Sequence, residues 1–321
     1  MKKYLKKILL GITLPQEYLC FSLNDFKEPL KMVINNGSSS ENIDLKEHHL
    51  FIGYKPLIIA IDCKYLPENI KNKKKTIRLL LLTSSGKKVA SLELKFVKKI
   101  NLELESCILY EGVEGNQTFS NHLQKLFKSL HYKLTSDKKK NIYLAGNLYD
   151  QIKIAYSIPR QIYLASLGSD NLFNIFPTDL SGPLGTDGFI TSLRSTGKAN
   201  SQIEKFGKCL VAQMDSESFG EVYGLGKNHM KELSNIESIE IPLRDEKSIT
   251  FNLPIPLKAI KYFELEKLDK FDIGIHTIHF WKVINSVIVS ESSSILAHIH
   301  RDYAEWRIKK GIQTNYLMRK I

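Results

Sequence analysis

The feature that most limits what this chain can become is a recurrence: short apolar runs return again and again between clusters of turn-forming residues. In residues 1–150 they fall at Tyr18–Leu23, Leu30–Ile34, Leu57–Ile61, Ile77–Thr83, Val89–Val97, Leu102–Tyr110 and Ile142–Ala145. Runs of that length, bounded by Gly, Asn, Ser and Lys, are expected to be strands. Ser84-Ser85-Gly86-Lys87 fits a hairpin turn, because glycine accepts the positive φ that chain reversal needs. A helical period emerges once in this half, at Phe119–Leu130, where residues 119, 123, 126, 127 and 130 share a face and Thr118 stands as the N-cap.

The pattern restarts after Tyr156-Ser157-Ile158-Pro159-Arg160. Strands are expected over Gln161–Leu167, Phe189–Leu193, Cys209–Met214, Ser238–Pro242, Leu257–Leu265, Thr277–Val289 and Ser294–His298, and helices over Ser201–Phe206, Ser216–Tyr223 and Arg301–Lys310. Gly207 ends the first of these helices. Asn174–Gly188, polar and rich in Gly and Pro, reads as a loop. A weak echo links Gln16–Leu23 to Arg160–Leu167, and Pro56–Asp62 to Gly188–Leu193. Chance similarity between strand-rich stretches and a degenerate second barrel would both produce it.

A length of 321 residues exceeds the usual single domain and predicts either two domains, a β-rich one over 1–150 and a second over 151–321, or one domain with a large N-terminal extension. The fold class expected is mainly β, of the α+β kind. Net charge is +12 and uneven: residues 1–150 hold 25 Lys+Arg against 15 Asp+Glu, whereas residues 151–321 hold 21 against 19. Lys71, Lys73, Lys74, Lys75 and Lys138, Lys139, Lys140 account for much of the excess and sit in expected turns. Few arginines and no interleaved aromatics accompany them, so a nucleic-acid partner is not expected.

Cys20, Cys63, Cys107 and Cys209 are far apart and have no histidine at metal-ligand spacing, which predicts buried free thiols in a reducing compartment. The basic, apolar start Met1–Leu14 runs into Pro15 and Glu17 without a small-residue cleavage site, and no apolar run reaches the length of a membrane span. A cytoplasmic protein with no membrane partner is expected. Paired His298 and His300 lack a third ligand, so no metal is assigned. Dinucleotide, P-loop and nucleophile-elbow motifs are absent, which argues against Rossmann enzymes, NTPases and α/β-hydrolases.

The richest segment is Asp272-Ile273-Gly274-Ile275-His276-Thr277-Ile278-His279-Phe280-Trp281, a glycine turn and a histidine at the head of an apolar strand. With Lys208–Met214 and Phe219–His229, it resembles the flavin reductase-like, FMN-binding split-barrel family over residues 156–300. The resemblance implies a split β-barrel preceded by the β-rich N-terminal half, FMN or alternatively FAD as cofactor, NAD(P)H as transient reductant, and a homodimer. It departs from the family pattern at Ile275, where Asp is usual, and at Trp281, near the family's strand glycine. Two readings of function follow, an NAD(P)H:flavin oxidoreductase and a non-catalytic flavin-binding or interaction protein that keeps the barrel.

His276 is then the candidate for chemistry, facing the flavin or nicotinamide; without the resemblance it reads as a satisfied strand histidine. Arg194, Ser195, Thr196 and Lys198 precede a helix and offer cations, hydroxyls and amides to a phosphate, or else form an ordinary capping loop. Asn174, Thr178, Asp179 and Ser181 stand where the resemblance places the flavin-edge loop. All four are candidates to bond the flavin ring through side chains or backbone; because an anionic Asp179 there disfavours reduced anionic flavin, the alternative is that it points away. His229 is a candidate for the pocket rim, or an exposed loop histidine.

Overall fold

The computed structural model describes residues 14, 16–35, 43–71, 76–102, 105–136, 142–312 and 314–318. The basic start and the lysine runs at 73–75 and 138–140 lie outside the described residues. The first half contains β1 (Tyr18–Ser22), β2 (Lys31–Asn35), β3 (His49–Tyr54), β4 (Leu57–Asp62), β5 (Ile77–Leu82), β6 (Lys88–Asn101) and β7 (Ser106–Gln117). The second contains β8 (Arg160–Gln161), β9 (Tyr163–Ser169), β10 (Leu172–Thr178), β11 (Ser181–Leu184), β12 (Gly188–Arg194), β13 (Lys208–Met214), β14 (Ser234–Asn235), β15 (Leu243–Lys247), β16 (Pro254–Pro256), β17 (Ala259–Ile273), β18 (His276–Ile288) and β19 (Leu296–His300). The protein is mainly β.

In the second half, β12, β18, β17, β13, β9 and β10 are successive antiparallel neighbours. β10 runs through Asp179 and Leu180 into β11, which pairs with β12, and the Ser192 amide donates to the Leu180 carbonyl at 3.0 Å. The two ends of the sheet therefore meet, and the strands close into a split barrel. Alternate residues point inward: Tyr163, Ala165 and Leu167 of β9, Phe189 and Leu193 of β12, Cys209 and Val211 of β13 and Trp281 of β18 fill the interior. Trp281 is fully buried and donates from Nε1 to Thr191 Oγ1 at 2.9 Å, so the indole occupies the core and not the surface. Ala199 and Ile203 of the helix Lys198–Phe206 pack into the same core.

The first half is a six-stranded antiparallel sheet in the order β2, β5, β6, β7, β4, β3. One face, with Leu57, Ile59 and Ile61 of β4 and Leu79 and Leu81 of β5, forms a core with Ile152 and Ile154 of the helix Leu148–Ala155 and Tyr303 of the helix Arg301–Lys309. The opposite face of β4 and β7 presents Ile58, Ala60, Cys107 and Leu109 to Ile190, Ile278 and Phe280 of the barrel. Each fully buried side chain of that size contributes about 1.5–3 kcal/mol, so this seam is a second hydrophobic core. β1 joins the ends of the chain, pairing with β19 from Tyr18 opposite His300 to Ser22 opposite Leu296, while β8 flanks β19 on its other side. All four cysteines are free and buried.

Several expectations require correction. Asn174–Gly188 is not a loop: it holds most of β10 and all of β11, because Asn174, Thr178 and Ser181 are buried and find partners inside the protein. No strand forms at 142–145. Ser238 closes the short 3-10 turn Ile236–Ser238 and 239–242 is irregular chain; the strand lies just beyond, at Leu243–Lys247, where it pairs with Pro254–Pro256. The helix expected at Ser201 begins at Lys198, and β3 and the helix Leu148–Ala155 carried no recognisable period.

Candidate functional site

Gly274 sets the geometry at the head of β18. Its φ is +58°, and a Cβ there would lie 2.1 Å from the Lys55 carbonyl oxygen, so only glycine fits between the two halves at this turn. The Ile275 amide donates to that same carbonyl at 3.2 Å. The turn thereby brings the β3–β4 connection, with Tyr54, against His276.

His276 is buried, and both its ring nitrogens meet protein groups. Nε2 accepts from the Tyr54 amide at 3.3 Å, which leaves Nδ1 to donate to Ser192 Oγ at 3.3 Å. The Tyr54 ring meets the imidazole edge to face at 4.5 Å. Burial first, and then the nearby Arg194 charge, lower its pKa from 6.5 to about 4, so the ring is neutral at physiological pH.

Around this contact lies a cleft with two lobes. The inner lobe, about 300 Å³, is bordered by His276, Ser192, Arg194 and by Gly197, Ala199 and Asn200 at the start of the helix Lys198–Phe206. The outer lobe, about 370 Å³, is bordered by Glu17, Tyr18, Tyr132, Tyr156, Tyr223 and His298. Tyr54, Pro177, Thr178, Asp179, Arg194, Gly226 and His229 border both, so the lobes adjoin along a shared wall.

The inner lobe has the attributes of an anion site. The Asn200 amide donates to the Gly197 carbonyl at 3.1 Å, which leaves the Lys198 and Ala199 amides at the helix start without a backbone acceptor among the described residues, and the aligned backbone dipoles place positive potential there. Arg194 is exposed and donates from Nε to the Tyr54 hydroxyl at 2.7 Å, while its two Nη groups make no ion pair among the described residues. Asn200 holds this loop in place: Nδ2 donates to the Ser195 carbonyl at 3.2 Å and Oδ1 accepts from His279 Nε2 at 2.8 Å. His279 is fully buried, and burial lowers its pKa to about 4. Neither Asn200 nor His279 was singled out from the sequence, although their spacing from Gly197 and Gly274 was the available signal.

Asp179 sits at the junction of the lobes. Its Oδ2 accepts from the Tyr156 hydroxyl at 2.6 Å and from His298 Nε2 at 2.9 Å. Burial opposes its charge, but those two donors outweigh burial and bring the pKa down to about 2. The carboxylate therefore borders the cleft in its ionised form and does not point away. His229 is half-buried; Nε2 donates to the Pro177 carbonyl at 2.6 Å, and burial lowers its pKa.

The structure thus gathers His276, Thr178, Asp179, Arg194 and His229 on one cleft. Asn174 lies outside the lining, bonding Gln202 Oε1 at 2.8 Å and the Asn228 carbonyl at 3.0 Å. Ser181 meets Thr178 at 2.7 Å behind the wall, and Ser195 donates to the Ile275 carbonyl. Thr196 is exposed, and Lys198 points to Glu232 at 2.5 Å on the surface. The tyrosines and Glu17 were missed because they come from segments far apart in the chain. Among the described residues, no group of three or more His, Cys, Asp or Glu is placed to hold a metal, and no helix is long and apolar enough to cross a membrane.

No family model matches this chain, and no curated protein does. Solved structures similar to it include flavin reductases and FMN-binding proteins. An FMN-binding protein from Thermus thermophilus with bound p-hydroxybenzaldehyde is 16% identical, covering 46% of this chain and 82% of that one, with a TM-score of 0.38. BorF, the flavin reductase component of a bacterial two-component tryptophan halogenase, is 10% identical over 46% of this chain and 95% of its own, with a TM-score of 0.39. The styrene monooxygenase flavin reductase from Pseudomonas putida S12 is 11% identical over 51% and 94%, with a TM-score of 0.36.

Proposed function

We propose that this protein binds FMN, with FAD as the alternative flavin, and that NADH or NADPH is its transient reductant. One observation carries the reading: a single cleft joins an anion-binding end to an aromatic wall. Arg194 and the first turn of the helix Lys198–Phe206 supply charge-assisted and backbone donors for a phosphate, while Tyr54 and neighbouring tyrosines supply flat apolar surface for a ring. The lobes also fall in the size range of cofactor sites. Bound flavin supplies the hydride-accepting ring. The chain's own part is to hold the phosphate, wall the ring and keep water from it.

The non-catalytic reading, a flavin-binding or interaction protein, is favoured by one feature. His276 is neutral and engaged at both nitrogens, so it offers a pocket ligand no proton unless it releases Ser192. Residues of one chain border both lobes, and the homodimer implied by the family resemblance stays part of this reading.

The absorbance spectrum of the purified protein, followed by titration with FMN, tests binding. A flavin spectrum or saturable quenching of flavin fluorescence is expected, and failure of both FMN and FAD to bind removes the proposal. Anaerobic addition of NADH or NADPH then separates the readings: bleaching of bound flavin marks a reductase, and an unbleached spectrum leaves a binder.

A further inference from the structure

The outer lobe shares Asp179 and Arg194 with the inner one and adds a second carboxylate, Glu17; its walls include Tyr18, Tyr132, Tyr156 and Tyr223, and among the described residues no lysine borders it. Tyr18 borders the lobe, its ring 4.7 Å from Tyr156 and 5.3 Å from His298, and its hydroxyl has no hydrogen-bond partner among the described residues. Burial raises the Tyr18 pKa well above 10, with the charges of Glu17 and Asp179 adding to it, which places both carboxylates within electrostatic reach of that hydroxyl. Glu17 Oε1 accepts from the Tyr149 hydroxyl at 3.1 Å and so holds its position at the lobe's edge. Arg194 is the positive group where the lobes share lining, anchored through Nε to the Tyr54 hydroxyl.

Aromatic faces carry negative quadrupole potential, and carboxylates beside them add full charge, so such a lobe attracts a cation with apolar substituents that the rings can cover. We infer that the outer lobe is a subsite for an organic cation, an alkylated ammonium or pyridinium nitrogen, so that the complete ligand set of the cleft pairs an anion at Arg194 with a cation at Tyr18 and Asp179. The inference rests on the cleft being a ligand site, as proposed above, but cation binding does not require flavin. Tyrosine hydroxyls bound to Asp179 and His298 keep the walls fixed, and the Tyr18 hydroxyl, without a partner among the described residues, is available to a ligand.

The test is titration of the full-length protein, without flavin, by two pairs of small molecules: 1-methylnicotinamide against nicotinamide, and choline against 3,3-dimethylbutan-1-ol. Preference for the charged member by about tenfold or more, in either pair, is expected, and which pair shows it distinguishes a pyridinium from an ammonium ligand. Asp179→Asn and, independently, Glu17→Gln reduce that preference, and Glu17→Gln leaves every bond of the Asp179 cluster in place if the first variant folds poorly. Equal affinity for charged and neutral members, or a preference unchanged in both variants, overturns the inference. FMN titration of the same samples shows whether the flavin reading stands or falls separately.

Discussion

The Tyr54 amide donates to His276 Nε2 at 3.3 Å while the two rings meet edge to face at 81°. The two residues are far apart in sequence, and their contact joins the β3–β4 connection to the head of β18. It fixes the tautomer of His276 and shapes the inner lobe together.

Replacing His276 with Phe keeps a ring but removes both hydrogen bonds. Leaving the Tyr54 amide and the Ser192 hydroxyl without this partner costs about 1–3 kcal/mol. Urea denaturation measures it, and a loss below about 0.5 kcal/mol would show that the two bonds contribute little.

Arg194→Gln is expected to weaken FMN about tenfold or more, since charge-assisted bonds to phosphate contribute about 1.5–3 kcal/mol. The side chain is exposed, so thermal stability stays within a degree or two of the parent. Fluorescence titration at two salt concentrations checks this, and the parent's affinity alone should fall as salt rises.

Gly274→Ala places a methyl group against the Lys55 carbonyl at a φ that L residues rarely adopt. Strain of this kind costs on the order of 1–3 kcal/mol, and relief requires the turn to move away from Tyr54. A lowered melting temperature and weakened FMN binding should appear together. Unchanged binding in a destabilised variant would detach the turn from the site.

Acid should destabilise the protein before its carboxylates titrate. Burial lowers the pKa of His49 and His300 from 6.5 to about 3, and of His276 and His279 to about 4. Native histidines stay neutral while unfolded ones take up protons below 6.5, so stability is fully present above 6.5 and declines as pH falls toward 4. Each such histidine adds up to about 1.36 kcal/mol per pH unit. Asp179 acts in a lower window, its contribution being lost as pH falls through about 2. Melting temperatures should hold nearly level from pH 7.5 to 6.5 and fall steadily from 6.5 to 5, and a flat profile over that lower range would contradict the buried neutral state.

Much of the barrel was legible because its strands are long, apolar and punctuated by glycine; Gly274 and Gly207 marked real ends. β10 was not, since its polar residues bond inward to Gln202, Asn228 and Ser181, and a solvated loop has the same composition. The histidine strand and the loop before the helix led to the inner lobe. Nothing local could lead to the outer lobe, where Tyr18 of β1 meets Tyr156 and His298 only after the chain ends pair.

β4 faces one core with Leu57, Ile59 and Ile61 and another with Ile58 and Ala60. A strand with two insides has no solvent side to fall back on, so severing the chain near residue 150 would strand an apolar sheet face in water. The halves are therefore expected to melt in one transition, and the cleft between them to vanish with that transition and not before it.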